Sequence, residues 1–305
     1  MRFPLASIVM ATYNGAEFIS HQINSIIDQD YVNKELIIID DCSNDQTVEI
    51  ISEYIKQYRW MKLVKHESNR GLVRTFEECI NLSSGEYVFL CDQDDIWLPN
   101  KITKMINCVG DSLLVHSDAK LIDSKGNIFC ESYVETHKDK SLNSFEDYLL
   151  SNNVTGCCAM ITRQLIDLAL PIPEGFYVHD HYFALFASYY ERIKFIDDKL
   201  VLYRQHGRNS MGAIKSSFDV FLASSLDVAN SYDMLLLKNF EKYDEEIKLI
   251  RDYKNSMNIG YWKSKYSILK LLKFNQGWKR IIYFYLMTGF GSKVLARKIY
   301  QRLYK

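Results

Sequence analysis

The chain has 305 residues, 48% of them hydrophobic and 25% charged, with a formal net charge of -1. That length allows one large domain or a domain with an appendage, the composition calls for a packed core, and the balanced charge excludes a molecule that binds polyanions over its whole surface. Seven cysteines, an odd number with no Cys-x-x-Cys pair, exclude a disulfide framework and suit buried free thiols in a reducing cytosol.

Residues 7–11 form an apolar, β-branched strand, and Met1-Arg2-Phe3-Pro4 leads straight into it, which predicts no signal peptide. The turn residues Thr12-Tyr13-Asn14-Gly15 stop that strand, and Phe18, Ile19, Ile23, Ile26 and Ile27 then recur at helical spacing. A second strand, 35–39, ends in Asp40-Asp41-Cys42-Ser43-Asn44-Asp45, and a helix over 47–58 follows with Asp45 as its N-cap. A short strand at 61–64, a turn at Asn69-Arg70-Gly71, a helix over 72–81 and a strand at 87–91 complete a doubly wound α/β alternation. Neither Gly-x-Gly-x-x-Gly nor Gly-Lys-Ser/Thr occurs, so no dinucleotide or P-loop fingerprint is present.

Beyond Pro99 the pattern predicts a helix over 101–109, a strand over 113–118, a strand pair within 120–130 turning at Ser124-Lys125-Gly126-Asn127, and a helix over 145–150. A small-residue strand over 154–161 contains Gly156, which lets a ligand or a backbone approach closely. A helix over 163–169 is stopped by Pro171 and Pro173, and His179-Asp180-His181 opens a helix that runs through 190. Short strands follow at 194–196 and 200–204, then the loop Gln205-His206-Gly207-Arg208-Asn209. From 216 onward the chain reads as helix, with breaks at Gly277 and at 289–291.

The most informative stretch is 86–97. Its strand runs straight into three carboxylates, Asp92, Asp94 and Asp95. In open α/β sheets the ligand lies beyond the carboxyl ends of the strands. Carboxylates grouped there repel one another and lose solvent, and a hard divalent cation, Mg²⁺ or Mn²⁺, relieves both costs. A solvated acidic turn capping the next helix fits the same residues. Asp40 and Asp41 also end a strand; they suit an imide N–H or a ribose hydroxyl, or else a turn and helix cap. Asp180 at a helix start is a candidate general base kept ionised by the helix N-terminus, or an N-cap between two partly exposed histidines. His206 reads as a metal ligand, a phosphate contact or an ordinary loop histidine.

Four segments together resemble the family 2 glycosyltransferases, which have the nucleotide-sugar-binding A-type fold. They are Ser7-Ile8-Val9-Met10-Ala11-Thr12-Tyr13-Asn14-Gly15, Ile39-Asp40-Asp41-Cys42-Ser43-Asn44-Asp45-Gln46-Thr47, Asp92-Gln93-Asp94-Asp95-Ile96-Trp97, and His179-Asp180 followed by Arg204-Gln205-His206-Gly207-x-Asn209. The last two look most like the rhamnosyltransferase-like branch that builds bacterial O-antigens and capsules. The resemblance implies a mixed, mostly parallel sheet with helices on both faces, as a catalytic domain over 1–211, and a helical appendage over 212–305. It implies that Thr12 and Asn14 line the base and ribose and that Asp41, with Asp40, bonds a pyrimidine. Arg70 would touch base or phosphates, and Asp92 would face the ribose. Asp94 would hold Mn²⁺ or Mg²⁺, with Asp95 beside it and His206 completing the shell. Asp180 would take the proton of the acceptor hydroxyl, in a region that includes Trp97, Gly156 and His179. The chain departs from many relatives at Cys42, where they have Gly, and at His179, where they have Glu.

The implied reaction is transfer of a sugar from a UDP- or dTDP-linked donor to a lipid-diphosphate-linked saccharide. Asp252 is the last acidic side chain, and the cations that follow, from Lys254 to Lys305, interleave with Tyr261, Trp262, Tyr266, Trp278, Tyr283, Phe284, Tyr285 and Phe290. That mixture suits a peripheral helix on the anionic inner face of the cell membrane better than a solvated face, and better than single-stranded nucleic acid, which is not expected as a partner. The apolar run 281–290 is shorter than the roughly 20 residues of a membrane span. Two other readings remain at this level. A metal-dependent sugar-phosphate phosphatase fits Phe89-Leu90-Cys91-Asp92-Gln93-Asp94 but has Ile96 where Thr or Val is wanted, and it leaves Asp40-Asp41 without a task. A non-catalytic membrane assembly subunit of the same fold has no need of carboxylates at every strand end.

Overall fold

The computed structural model describes residues 3–137, 142, 144–150, 152–207, 209 and 240. The chain divides into two units, 1–172 with 178–213, and 173–177 with 214–305. The boundary expected between 211 and 212, the helices expected beyond 216 and the basic-aromatic tail lie outside the described residues.

Strands and helices alternate first as β1 (Ala6–Thr12), α1 (Ile19–Ile27), β2 (Lys34–Asp40), α2 (Thr47–Gln57), β3 (Met61–Lys65), α3 (Leu72–Leu82) and β4 (Tyr87–Cys91). Then come β5 (Ile96–Trp97), α4 (Lys101–Cys108), β6 (Leu114–Ile122), β7 (Ile128–Cys130), α5 (Tyr133–His137), α6 (Phe145–Leu150), β8 (Ala159–Thr162), α7 (Arg163–Ala169), α8 (His179–Tyr189) and β9 (Ile193–Arg204). Among the described residues these strands form one mixed sheet in the order β3-β2-β1-β4-β8-β6-β9-β5, with β7 paired to β6. The long ladders are parallel: β1 with β2 and β4, β2 with β3, and β6 with β9. The shorter antiparallel pairs join β8 to β4 and β6, and β5 to β9.

Parallel strands covered on both faces need continuous apolar sequence. Ile8, Val9 and Met10 of β1, and Leu36, Ile38 and Ile39 of β2, are accordingly fully buried. The helices pack by spacing: α1 buries Ile19, Ile23 and Ile26, and α3 buries Phe76, Cys79 and Ile80. At α2 the N-cap is Gln46, which makes no side-chain cap bond, and not Asp45 as expected; Asp45 precedes the cap and accepts the Thr47 N–H at 3.0 Å. All seven cysteines are free. Among the described residues no helix is long and apolar enough to cross a membrane.

The structure departs from the expected elements in several places. The strand expected over 113–118 and the first of the pair expected within 120–130 are the single β6, Leu114–Ile122. The strand expected over 154–161 begins only at Ala159, after a 3₁₀ turn, Gly156–Cys158. The backbone there serves side chains instead of a ladder: Gly156 N–H goes to Asp180 and Cys157 C=O receives Lys101. The two strands expected at 194–196 and 200–204 are the single β9, whose register against β6 shifts around Asp118. That irregularity absorbs the polar residues Asp197 and Asp198 without ending the strand. The two-residue β5 was too short to show a period in the sequence, and it forms by pairing Ile96 and Trp97 with Leu202 and Val201 of β9.

The register positions the functional loops. Thr12 stands opposite Asp40, and Met10 opposite Cys91, so the chain leaves β1, β2 and β4 at one edge of the sheet. Tight turns follow, and Cys42 takes a left-handed backbone, φ 71°. A side chain there costs about 1–2 kcal/mol, which gives a physical reason for Gly in relatives. Cys42→Gly should therefore leave the fold intact and be neutral to stabilising by up to about 1 kcal/mol, measured as a shift in the denaturant midpoint; a loss of 1 kcal/mol or more would contradict this account.

Candidate active site

The two carboxylates that end β2 do different work. Asp40 is consumed locally: it accepts Thr12 Oγ1 at 3.0 Å, Ser43 Oγ at 2.5 Å and Ser43 N–H at 2.9 Å. Asp41 lies at the centre of a network. Its Oδ1 accepts the Arg70 N–H at 2.7 Å and meets His66 Nδ1 at 2.8 Å, and its Oδ2 accepts the Gly71 N–H at 2.9 Å. Burial acts to raise its pKa, but the hydrogen bonds from Arg70, His66 and Gly71 outweigh it and hold the carboxyl below the usual range. His66 Nε2 meets Glu78 at 3.0 Å, and Glu78 receives the Arg70 guanidinium at 2.8 Å. Arg70 is thus oriented at this edge by Glu78 and by its own backbone. Asn14 accepts the Asn44 N–H at 2.8 Å, which ties the loops after β1 and β2 together.

The acidic loop after β4 is anchored by Arg204. That residue donates its backbone N–H to Asp95 Oδ1 at 2.9 Å and its Nε–H to the Asp94 carbonyl at 2.7 Å. Its guanidinium lies 4.7 Å from the Phe18 ring, and His206 stacks on the same ring at 4.9 Å. His206 Nε2 comes to 2.7 Å from Asp94 Oδ2, while the His206 N–H donates to Asn209 at 2.6 Å. Asp94 and His206, 112 residues apart in the chain, are therefore adjacent.

The carboxylates in this loop are strained by their surroundings. Burial, together with the charges of Asp94 and Asp180, raises the Asp92 pKa to about 7. Asp95 is fully buried and burial pushes it well above the usual carboxylate range; its Oδ2 has no hydrogen-bond partner. Asp92, Asp95 and Cys157 bring their ligand atoms within 4.8 Å of one another. The Cys157 thiol, raised by its hydrogen bond with Cys158 and by burial, stays protonated and is a poor partner for a hard cation. Oxygen and imidazole donors suit Mn²⁺ or Mg²⁺; Asp94 and His206 are adjacent, but among the described residues the ligand atoms that converge are those of Asp92, Asp95 and Cys157, not the expected set of Asp94, Asp95 and His206.

Asp180 faces the loop from α8. Its Oδ1 accepts Asn152 Nδ2 at 3.0 Å and its Oδ2 accepts the Gly156 N–H at 3.0 Å. The charge of Asp180 is felt at Asp92, so the α8 carboxylate belongs to the same electrostatic site. A Cβ on Gly156 would stand 3.4 Å from His179 Nε2 and 3.6 Å from Asp180 Oδ2, ordinary contact distances, so the Gly156 backbone packs directly against both groups. The flanking histidines, expected to be partly exposed if Asp180 were only a cap, are both buried. His179 stacks on Phe76 at 3.9 Å, its pKa is lowered to about 3 by burial, and neither ring nitrogen has a partner. Trp97 lies in the core, 2% exposed, with the Lys101 ammonium over its ring.

Sequence reasoning did not single out His66, Asn152, Lys101 or Arg204 by role. Arg204 and Asn209 stand inside a quoted motif, which is a signal. A lysine at a helix start and a histidine after an edge strand read as surface.

A mixed sheet carrying an Asp-rich loop at the carboxyl ends of its strands is the arrangement expected of a nucleotide-sugar-binding fold. A family profile described as Glycosyl transferase family 2 matches residues 7–168, and the chain belongs to that family. It is 31% identical over 218 residues to a dTDP-rhamnosyl transferase, RfbG, of Shigella flexneri, covering 67% of this chain and 74% of the relative. It is 33% identical over 164 residues to a putative teichuronic acid biosynthesis glycosyltransferase, TuaG, of Bacillus subtilis, covering 53% of this chain and 63% of that protein. Among solved structures, S. aureus TarS 1-349 in complex with UDP-GlcNAc superposes with a TM-score of 0.59 at 21% identity, over 81% of this chain and 70% of that one. The mannosyltransferase PcManGT of Pyrobaculum calidifontis, in complex with GDP-Man and Mn2+, gives a TM-score of 0.61 at 14% identity, over 100% of this chain and 82% of that one. At those identities the structures establish the fold, and the family leaves the phosphatase reading without support.

The raised Asp92 pKa has a stability consequence with a definite sign. Ionised Asp92 is disfavoured in the fold, so the metal-free protein carries a cost that is largest above about pH 7 and shrinks as pH falls from there toward the ordinary carboxylate range. Asp92→Asn should raise the melting temperature of EDTA-treated protein at pH 8, with a smaller gain at pH 5. An equal gain at both pH values, or a loss at pH 8, would show that Asp92 is not held in a charge-disfavouring site.

Proposed function

We propose that this chain is an inverting, metal-dependent glycosyltransferase. It moves a sugar such as rhamnose, glucose or galactose from a UDP- or dTDP-linked donor to a hydroxyl of a lipid-linked saccharide, in synthesis of a surface polysaccharide such as O-antigen or capsule. The observation that supports this reading is that the acidic loop holding the Asp94–His206 pair at 2.7 Å also carries Asp92, on which the charge of Asp180, bonded by Asn152 and the Gly156 N–H, acts.

On this reading Asp41 and Arg70, with Thr12 and Asn14, bind base and ribose, and Asp92 faces the sugar nucleotide. The positive charge that a diphosphate leaving group needs is what Mn²⁺ or Mg²⁺ supplies when bound by Asp94 and His206 beside Asp95. Asp180 accepts the proton of the acceptor hydroxyl as its oxygen bonds to the anomeric carbon. The anomeric carbon–phosphate oxygen bond breaks in the same displacement, the nucleoside diphosphate leaves, and the configuration inverts. The two hydrogen bonds fix the Asp180 carboxylate in place, as a positioned base requires. The likeness to a dTDP-rhamnosyl transferase supports a dTDP-linked donor. The basic-aromatic sequence after 212 supports a protein that works in the cytoplasm, peripheral on the inner face of the membrane where a lipid-diphosphate acceptor is presented.

Calorimetry with UDP, dTDP, GDP and CMP, each with Mn²⁺ and then with EDTA, tests the donor side. UDP or dTDP should bind only with metal, and the absence of any nucleotide binding would favour a non-catalytic subunit. Asp180→Asn should lower transfer by about 10²–10⁴-fold while nucleotide affinity is kept; normal turnover would remove Asp180 from the reaction. Truncation after Gly212 should release the protein from anionic vesicles, and unchanged sedimentation with them would overturn the membrane role.

A further inference from the structure

Lys101 is the first residue of α4, where a lysine ordinarily points to water, yet it is fully buried. An ammonium held out of water is unfavourable unless its protons find acceptors. Lys101 Nζ donates to the Cys157 carbonyl at 2.5 Å and lies 3.5 Å from the centroid of the Trp97 ring. Trp97 is itself fixed, by its N–H on Ser25 Oγ at 3.0 Å and by its place in β5 opposite Val201. Burial acts to lower the Lys101 pKa, and the neighbouring thiols and Asp95 act against that.

Cys157 is the middle residue of the 3₁₀ turn Gly156–Cys158. The preceding residue, Gly156, donates its N–H to Asp180 Oδ2 at 3.0 Å. Ammonium and carboxylate are thus joined through one turn of backbone: Lys101 to the Cys157 carbonyl, and the Gly156 N–H to Asp180. The chain that starts at the acidic loop, passes through β5 and opens α4 ends by setting the turn that orients α8's carboxylate.

We propose that Lys101 is a positioning residue for sugar transfer, holding the Gly156–Cys158 turn so that the Gly156 N–H aims Asp180 at the acceptor. This rests on the reading of Asp180 as the base. Without the tether the turn relaxes and the base moves off line. The groups expected to hold the nucleotide, Asp41, Asp94 and His206, are fixed by Arg70, His66, Arg204 and Asn209 and not by this turn. Asp92 and Asp95 feel the Lys101 charge, so nucleotide affinity is followed separately, and loss of Lys101 strikes turnover more than that affinity.

The test uses the full chain, with release of nucleoside diphosphate from UDP-glucose and dTDP-rhamnose, water standing in for the acceptor, and calorimetry of UDP with Mn²⁺. Lys101→Met should lower turnover at saturating donor by about 10–100-fold, with donor KM and nucleotide affinity changed by less than about threefold. Lys101→Arg keeps the charge but cannot place it on Cys157, so its turnover should fall as well. Wild-type turnover in either variant overturns the proposal, as does a loss of nucleotide affinity parallel to the loss of turnover. Failure of both variants to fold, judged by circular dichroism, assigns Lys101 to the core and also overturns it. Asp180→Asn is run beside them: an active Asp180→Asn defeats the base reading, whereas an inactive one with a normal Lys101→Met defeats only the role of Lys101.

Discussion

Arg204 holds the acidic loop in place. Three carboxylates within four residues, two of them buried and Asp92 partly so, repel one another. The opposing contact comes from the last residue of β9, whose N–H and guanidinium bind the Asp95 carboxylate and the Asp94 carbonyl. Because His206 and Asn209 follow Arg204 directly, the same anchor brings His206 against Asp94 and keeps it there through stacking on Phe18. Deleting that one contact would free both the loop and its imidazole partner.

The remaining unrelieved charge explains the rest of the site's construction. Asp92 and Asp95 stay short of solvation and hydrogen bonds, which is destabilising in a folded protein without a ligand and useful where a cation and a diphosphate are to be bound. Asp40 and Asp41 follow the opposite plan, with every oxygen bonded. One closes the turn after β2. The other is ionised and preorganised by Arg70, His66 and Gly71, so it faces a partner with its geometry already set.

The two departures from the family pattern have local physical settings. Cys42 occupies a left-handed backbone that glycine adopts freely, so the cysteine is tolerated and not required. His179 lies fully buried on Phe76, a setting that keeps imidazole neutral and that would disfavour an ionised glutamate.

Much of the fold was legible in the sequence because its signals are local. The apolar runs of β1, β2 and β4, the helical spacing of α1 and α3, and the turns that end each strand need only neighbouring residues, and with them the sequence placed the acidic groups at strand ends. What it could not show were features made by residues far apart. β5 exists only because β9 pairs with it, and the register shift opposite Asp118 merges two expected strands into one. The strand expected over 154–161 starts as a turn because Asp180 and Lys101 take its backbone groups. The sequence by itself determined the family, the strand–helix order through β4 and the carboxylates at the sheet edge. Tertiary structure alone decided that Lys101 is internal, that Asp94 meets His206, and that Asn152 grips Asp180, since each depends on which distant segments share one low-dielectric space.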